Sequence, residues 1–263
     1  MEEGLIDDSD ATLALLADLA GATDQRLGDL ARRLAGRLFL DLARRGPSAR
    51  RGVGKLVEQP YRPDGGDLDV DASFDAIVDA AASGVAVDAE RLRVRSWSTP
   101  QTALCLLVDR SGSMGGAPLA TAAVAAAAVA VRTPQSYSVL AFGKDVVAIK
   151  SQHVDKRNDR VVTDVLSLRG HGTTDLAGAL RAAGRQLHHS RAARQIVILL
   201  SDCRSTVEGD VLGAAWALPE LVVVAPENDS DEARRFAHDC GARFAVVAGP
   251  SHAVEALATV LER

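Results

Sequence analysis

A run of apolar residues, Thr102–Val108 (TALCLLV), limits the possible folds more than any other feature of the chain. It lacks polar alternation, which is typical of a central strand buried on both faces of a sheet. Further short apolar runs and helical spacings follow it. They predict strands at 136–142, 145–149, 195–200, 221–224 and 243–247, and helices at 119–132, 158–168, 175–188, 230–239 and from 253 onward. This alternation predicts a doubly wound α/β fold with a mostly parallel sheet flanked by helices.

The first 99 residues follow a different pattern. Apolar residues recur there at intervals of three and four, which places them on one face of a helix: Leu13, Leu16, Ala17 and Ala20, then Leu27, Leu30, Leu34 and Leu38. A basic stretch, Arg44–Lys55, comes next. An acidic stretch then leads into an amphipathic helix with an apolar face: Val70, Phe74, Ile77, Val78 and Ala81. We therefore predict a helical N-terminal extension with basic and acidic loops over residues 1–99 and one α/β domain over 100–263.

Composition argues against several classes of protein. The 30 basic and 35 acidic residues give a net charge of −5, which is unsuited to neutralising the phosphates of nucleic acid. The longest apolar run, Leu119–Val131, is interrupted by Thr121 and is shorter than the about 20 residues of a membrane span. Three cysteines without a CxxC pair, and an acidic start unlike a signal peptide, predict a cytoplasmic protein.

Oxygen-bearing side chains follow two of the predicted strands and precede one helix. Carboxyl ends of parallel strands meet at one edge of a sheet, so these side chains are expected to converge there. The candidate metal ligands are Asp109, Ser111, Ser113, Thr174 and Asp202, with Thr173 as an alternative to Thr174. Carboxylate and hydroxyl oxygens are the ligands that hard divalent cations prefer, and neither imidazole nor thiolate is needed.

The pattern DxSxS, followed by a distant threonine and a distant aspartate, resembles the von Willebrand factor A (vWA) domain with its metal-ion-dependent adhesion site (MIDAS). The resemblance covers residues 100–263 and implies bound Mg²⁺ or Mn²⁺. It implies that the serines, and sometimes the threonine, touch the metal, while the acids often act through water. An Asp or Glu of a partner protein would fill the open position. The family often has glycine after the second aspartate, whereas this chain has Cys203-Arg204.

Two short strings before the α/β domain, Arg50–Gly54 (RRGVG) and Gly66–Asp71 (GDLDVD), resemble bacterial stand-alone vWA proteins. These include the CoxE-like group and relatives of the magnesium-chelatase D subunit. The resemblance implies that the chain works beside an AAA+ ATPase of the MoxR type, in cofactor insertion or in the assembly of a complex. The partner would be that ATPase or its client protein.

Two other functions remain open from the residues alone. One is a metal-dependent phosphohydrolase with Asp109 as nucleophile, although Ser111 stands where such chemistry would want a second acid. The other is a chelatase accessory subunit. A serine-hydrolase GxSxG motif is absent around Ser111, and no phosphate-binding GxxxxGK[ST] string is present. We therefore expect a protein-binding module rather than an enzyme.

Overall fold

The computed structural model describes residues 2–21, 25–45, 55–61, 67–88, 91–98, 102–110, 116–170 and 172–261. The chain forms two compact units, one of residues 1–49 with 102–263 and the other of residues 50–101. This division differs from the predicted boundary at residue 100, because the first two helices belong to the α/β unit. Among the described helices, none is both long and apolar enough to cross a membrane.

The described helices and strands appear in the following order along the chain: α1 (Glu2–Ala20), α2 (Gln25–Arg45), β1 (Lys55–Pro60), β2 (Asp67–Leu68), α3 (Val70–Ser83), β3 (Arg93–Ser98), β4 (Thr102–Asp109), α4 (Gly116–Arg132), β5 (Tyr137–Phe142), β6 (Val146–Lys150), α5 (Asn158–Val165), α6 (Leu176–Leu187), β7 (Arg194–Leu200), α7 (Val211–Trp216), β8 (Leu221–Pro226), α8 (Asp231–Cys240), β9 (Arg243–Val247) and α9 (Ala253–Leu261). The predicted strands and helices after residue 100 are present, and the short helix α7 was not predicted.

The α/β unit is built on a six-stranded sheet with the order β6-β5-β4-β7-β8-β9. All neighbouring strands are parallel except β6, which pairs antiparallel with β5 at the edge. Side chains of β4 alternate between the two faces, so that Leu104 and Leu106 enter one core while Cys105 and Leu107 enter the other. This confirms the doubly wound, mostly parallel sheet flanked by helices.

Helix α4 explains how the N-terminal helices join this unit. It is apolar all round, and its residues from Leu119 to Ala130 are buried except Thr121. A helix without a polar face needs neighbours on every side. The sheet lies on one side of α4, and α1 and α2 pack on it from another. The apolar run that is too short for a membrane span is therefore a middle layer of the α/β unit.

The α2 residues in contact with this core are mostly small, and they differ from the leucine series noted in the sequence. The buried residues of α2 include Ala31, Ala35, Phe39, Leu40 and Ala43. The leucines at positions 30, 34 and 38 lie on the opposite face and are exposed. Alanines allow the backbones of packed helices to approach closely, so the inward side of α2 carries mostly small apolar residues and the outward side carries leucines with arginines beside them.

The second unit contains a three-stranded antiparallel sheet, β1-β3-β2, beside α3. Before residue 100 the structure therefore contains strands that the sequence analysis did not predict, in addition to the predicted helices. Asp69 caps α3 by accepting a hydrogen bond from the Ala72 amide at 3.1 Å. The buried face of α3 carries Ser73, Ala76 and Ala80, whereas the face predicted to pack is largely exposed. A hydrogen bond to the Ser73 hydroxyl from the Arg93 amide, at 2.9 Å, helps to fix this orientation.

Candidate metal site at the carboxyl edge of the sheet

Asp109 and Ser201 meet where two neighbouring strands end. Asp109 is the last residue of β4, and Ser201 directly follows β7. The Ser201 hydroxyl donates a hydrogen bond to Asp109 Oδ2 at 2.5 Å and accepts one from the Cys203 amide at 2.8 Å. The serine therefore orients the Asp109 carboxylate and at the same time shapes the loop that carries Asp202.

Both predicted carboxylates line one cleft of about 430 Å³ at this edge, together with Asp229. The Asp202 carboxylate accepts a hydrogen bond from the Arg204 amide at 3.0 Å, and the Arg204 guanidinium pairs with Asp229 at 2.5 Å. No basic residue is among the described residues that line the cleft. Carboxylate and hydroxyl oxygens, with no basic residue among the described lining residues, suit a divalent cation. The oxygen ligands of the cleft therefore fit the predicted metal.

Thr174 is held against the loop that follows β7. Its amide donates to the Thr206 hydroxyl at 2.8 Å, and its carbonyl accepts from the Ser205 hydroxyl and from the amides of Thr206 and Val207 at 3.1–3.3 Å. Thr174 is 1% exposed, whereas Thr173 is exposed. Every hydrogen bond that Thr174 makes with the described residues uses its backbone. The threonine side chain is therefore not required to hold the loop in place.

The residue that follows Thr174 is attached to the end of β5. The Asp175 amide donates to the Gly143 carbonyl at 2.8 Å, directly after the strand ends. Asp175 also caps α6 through the Gly178 amide at 2.8 Å. The loop before α6 thus crosses from β5 to the loop after β7, over the end of the central strand β4.

The structure brings together part of the predicted ligand set. Asp109 and Asp202 line the cleft, and Thr174 is bonded to the loop of Asp202 without being one of the described lining residues. Ser111 and Ser113 lie outside the described residues, so their part in the site stays a prediction. The described part of the chain contains no group of three or more His, Cys, Asp or Glu that could hold a metal, and a site that relies on hydroxyls needs none.

Helix α1 supplies two contacts that were not predicted from the sequence. Asp18 accepts a hydrogen bond from the Gly116 amide at 2.6 Å, at the start of α4. Asp10 accepts one from the Ser251 amide at 2.8 Å, next to the segment of the cleft that contains Gly249. These partners are 98 and 241 positions apart in the chain, so no local pattern could have indicated them.

Cys203 occupies the position at which the vWA family often has glycine, and the backbone conformation here is one that favours glycine. Its φ is +63°, in the left-handed region that favours glycine. The side chain is buried on one face of the sheet. Burial raises the pKa of the Cys203 thiol, and the negative charges of Asp202 and Asp109 raise it further. Without a bound metal, the thiol is therefore protonated at neutral pH.

We expect Cys203→Gly to be more stable than Cys203→Ala by about 1 kcal/mol, because both lose the thiol and only glycine adopts this backbone without strain. Urea unfolding of the two variants, monitored by circular dichroism, measures the difference. Equal unfolding free energies would contradict a left-handed backbone at this position.

Comparison with solved structures finds vWA domains. A von Willebrand factor type A protein from Catenulispora acidiphila is 17% identical with a TM-score of 0.48, over 65% of this chain and 43% of its own. An aerotolerance-related membrane protein from Bacteroides fragilis is 14% identical with a TM-score of 0.48, over 61% and 98% of the two chains. Proximal thread matrix protein 1 of the mussel byssus, solved with a zinc-occupied MIDAS motif, is 12% identical with a TM-score of 0.47, over 61% and 47%.

The match covers less than half of the Catenulispora and mussel chains. No curated protein matches the chain significantly. The family model described as VWA domain containing CoxE-like protein matches residues 39–261, which include the last third of α2 and the whole three-stranded sheet. This match covers most of the sequence and confirms the resemblance seen in the motifs: the chain belongs to the CoxE-like family of vWA-domain proteins.

Proposed function

We propose that this chain is a protein-binding module that depends on a divalent metal and acts through a MIDAS formed by Asp109, Ser111, Ser113, Thr174 and Asp202. The observation that carries the proposal is the pair of carboxylates, Asp109 and Asp202, in one acidic cleft at the carboxyl edge of the sheet. The Ser201 hydroxyl holds the first of them in place.

The proposed roles follow from the chemistry of the side chains. The hydroxyls of Ser111, Ser113 and Thr174 are neutral donors, while Asp109 and Asp202 supply the negative charge that retains Mg²⁺ or Mn²⁺. With few charged ligands in direct contact, the metal supplies an electron-poor position that accepts a carboxylate of a partner protein. Ser201 acts indirectly, by orienting the Asp109 carboxylate, as groups that support metal ligands commonly do.

The proposed partner is an AAA+ ATPase of the MoxR type, or its client, in cofactor insertion or complex assembly. Membership of the CoxE-like family supports this assignment. The proposed place of action is the cytoplasm, which is supported by three cysteines that form no disulfide.

We propose no catalytic role for the site. A phosphoester dianion entering the cleft would meet Asp109, Asp202 and Asp229 but no basic residue among the described lining residues. Phosphoryl transfer depends on cationic groups that neutralise the developing charge, and the proposed metal would supply that charge here without help from a described lining residue. Failure to hydrolyse a generic phosphoester in the presence of Mg²⁺ would agree with a binding role, whereas turnover that Asp109→Asn abolishes would favour the hydrolase.

Metal-dependent capture tests the proposed function. The immobilised full chain should retain a MoxR-type ATPase of the same genome in Mg²⁺ or Mn²⁺ and release it in EDTA, because EDTA removes the metal that the partner carboxylate binds. Asp109→Ala should abolish capture. The matched control is Glu255→Ala, which removes an exposed carboxylate on α9. Capture that survives both EDTA and Asp109→Ala would contradict the proposal.

A further inference from the structure

Helix α2 presents an apolar stripe away from its core. Leu30, Leu34 and Leu38 repeat every fourth residue, and their exposed fractions are 66%, 56% and 41%. Exposed leucines at this spacing form a continuous apolar surface along a helix. Arg33 and Arg37 directly precede two of these leucines and are exposed as well. The stripe therefore has a row of positive charge along one side.

The positive charge of this arginine row is not neutralised by an ion pair with any described residue. Among the described residues, Arg33 and Arg37 form no ion pair, and they border a recess of about 250 Å³ together with Arg160 of α5. Asp159, the acid at this recess, is held by Arg157 through two hydrogen bonds of 3.1 and 2.8 Å. The surface beside the leucine stripe thus favours an acidic partner.

Helix α3 in the second unit presents the opposite arrangement. Val70, Phe74 and Val78 also repeat every fourth residue, with exposed fractions of 57%, 59% and 45%. Asp71 and Asp75 directly follow the first two of them and are exposed. This stripe therefore has a row of negative charge along one side.

The two aspartates nearest the start of α3 retain charge for a partner. Asp75 forms no ion pair among the described residues, and the Asp71 carboxylate is 92% exposed at 4.0 Å from Arg95. The third acid of the row, Asp79, pairs with Arg91 at 2.8 Å. Exposed pairs of this kind are weak and exchange readily for a better one.

We propose that α3 of one copy of this chain docks on α2 of a second copy, with stripe against stripe and the aspartate row opposite the arginine row. On α3, each of the two exposed aspartates comes one residue after an apolar residue of the stripe. On α2, each arginine comes one residue before a leucine of the stripe. These rows face each other only when the two helices run parallel, as in parallel coiled coils. In the proposed dimer each copy contributes α2 to one contact and α3 to the other, so that the two contacts are equivalent.

Charge reversal tests this dimer with the full chain. By sedimentation equilibrium, the wild type should dimerise, and Arg33→Glu/Arg37→Glu and Asp71→Lys/Asp75→Lys should each weaken the dimer at least about tenfold, since like charges then meet. An equimolar mixture of the two variants should dimerise again, because every row then faces its opposite. The quadruple variant should likewise restore the dimer.

The matched control is Arg181→Glu/Arg185→Glu, which reverses two exposed arginines at the same spacing on α6 and should leave dimerisation unchanged. Circular dichroism melting of each variant identifies any that fails to fold. A wild type that stays monomeric at the highest soluble concentration overturns the proposal. A dimer that resists both charge reversals also overturns it, as does a mixture of variants that does not reassociate.

Discussion

Replacing Phe39 by alanine should lower the unfolding free energy by about 3–5 kcal/mol, the usual cost of removing a large aromatic side chain from a core. Phe39 is fully buried in the core that α2 shares with α4 and the sheet. For a chain of this size the midpoint of thermal unfolding should fall by about 6–20 °C. Differential scanning calorimetry of the full chain measures both quantities.

The matched control is Leu15→Ala, a truncation of a leucine on α1 that is 59% exposed. It should change stability by no more than about 0.5 kcal/mol. If Phe39→Ala were equally mild, α2 would not be part of the folding core. The predicted boundary at residue 100 would then describe the chain better than the division at residues 50–101.

Addition of Mg²⁺ or Mn²⁺ should stabilise the wild type against heat relative to EDTA. Metal at a hundred times its dissociation constant adds about 2.7 kcal/mol when it binds only the folded chain. This corresponds to about 5–10 °C in the unfolding midpoint. Asp109→Ala should abolish the shift, because it removes a carboxylate of the proposed site. Ser201→Ala should need at least about tenfold more metal to reach the same shift, because the Asp109 carboxylate is then no longer oriented.

Glu255→Ala, on α9, is again the control and should melt with the same metal-induced shift as the wild type. An identical shift in Asp109→Ala would show that the metal binds elsewhere. If the wild type gave no shift even at millimolar metal, the proposed site would not bind the metal in the isolated chain.

The central sheet was predictable because the apolar sequences of its strands are typical of buried strands. Thr102–Val108 and Gln195–Leu200 are apolar after their first residue, as is typical of strands covered on both faces. The strands β1 and β3 of the second unit gave no such signal, since KLVEQP and RVRSWS mix charged and apolar residues. The inward face of α2 could not be predicted from the sequence either, because the buried alanines of this helix are less apolar than its exposed leucines.

The candidate site was predictable only where residues follow strands directly. Asp109 and Asp202 come together because their strands are parallel neighbours with carboxyl ends at one edge. The contacts that position them depend on distant segments. Thr206 bonds the amide of Thr174, and Asp18 bonds that of Gly116, and no periodicity in the sequence relates either pair.

The hydrogen bond from the Gly116 amide to Asp18 also has a thermodynamic consequence. It joins the first residue of α4 to α1, the helix that packs beside α2. A ligand that displaces the start of α4 must break this bond, and a change in α1 that breaks it must alter the affinity for that ligand. The two free-energy changes are equal, since coupling between sites is reciprocal. For a ligand that displaces the start of α4, the packing of α1 and the affinity for that ligand are therefore coupled.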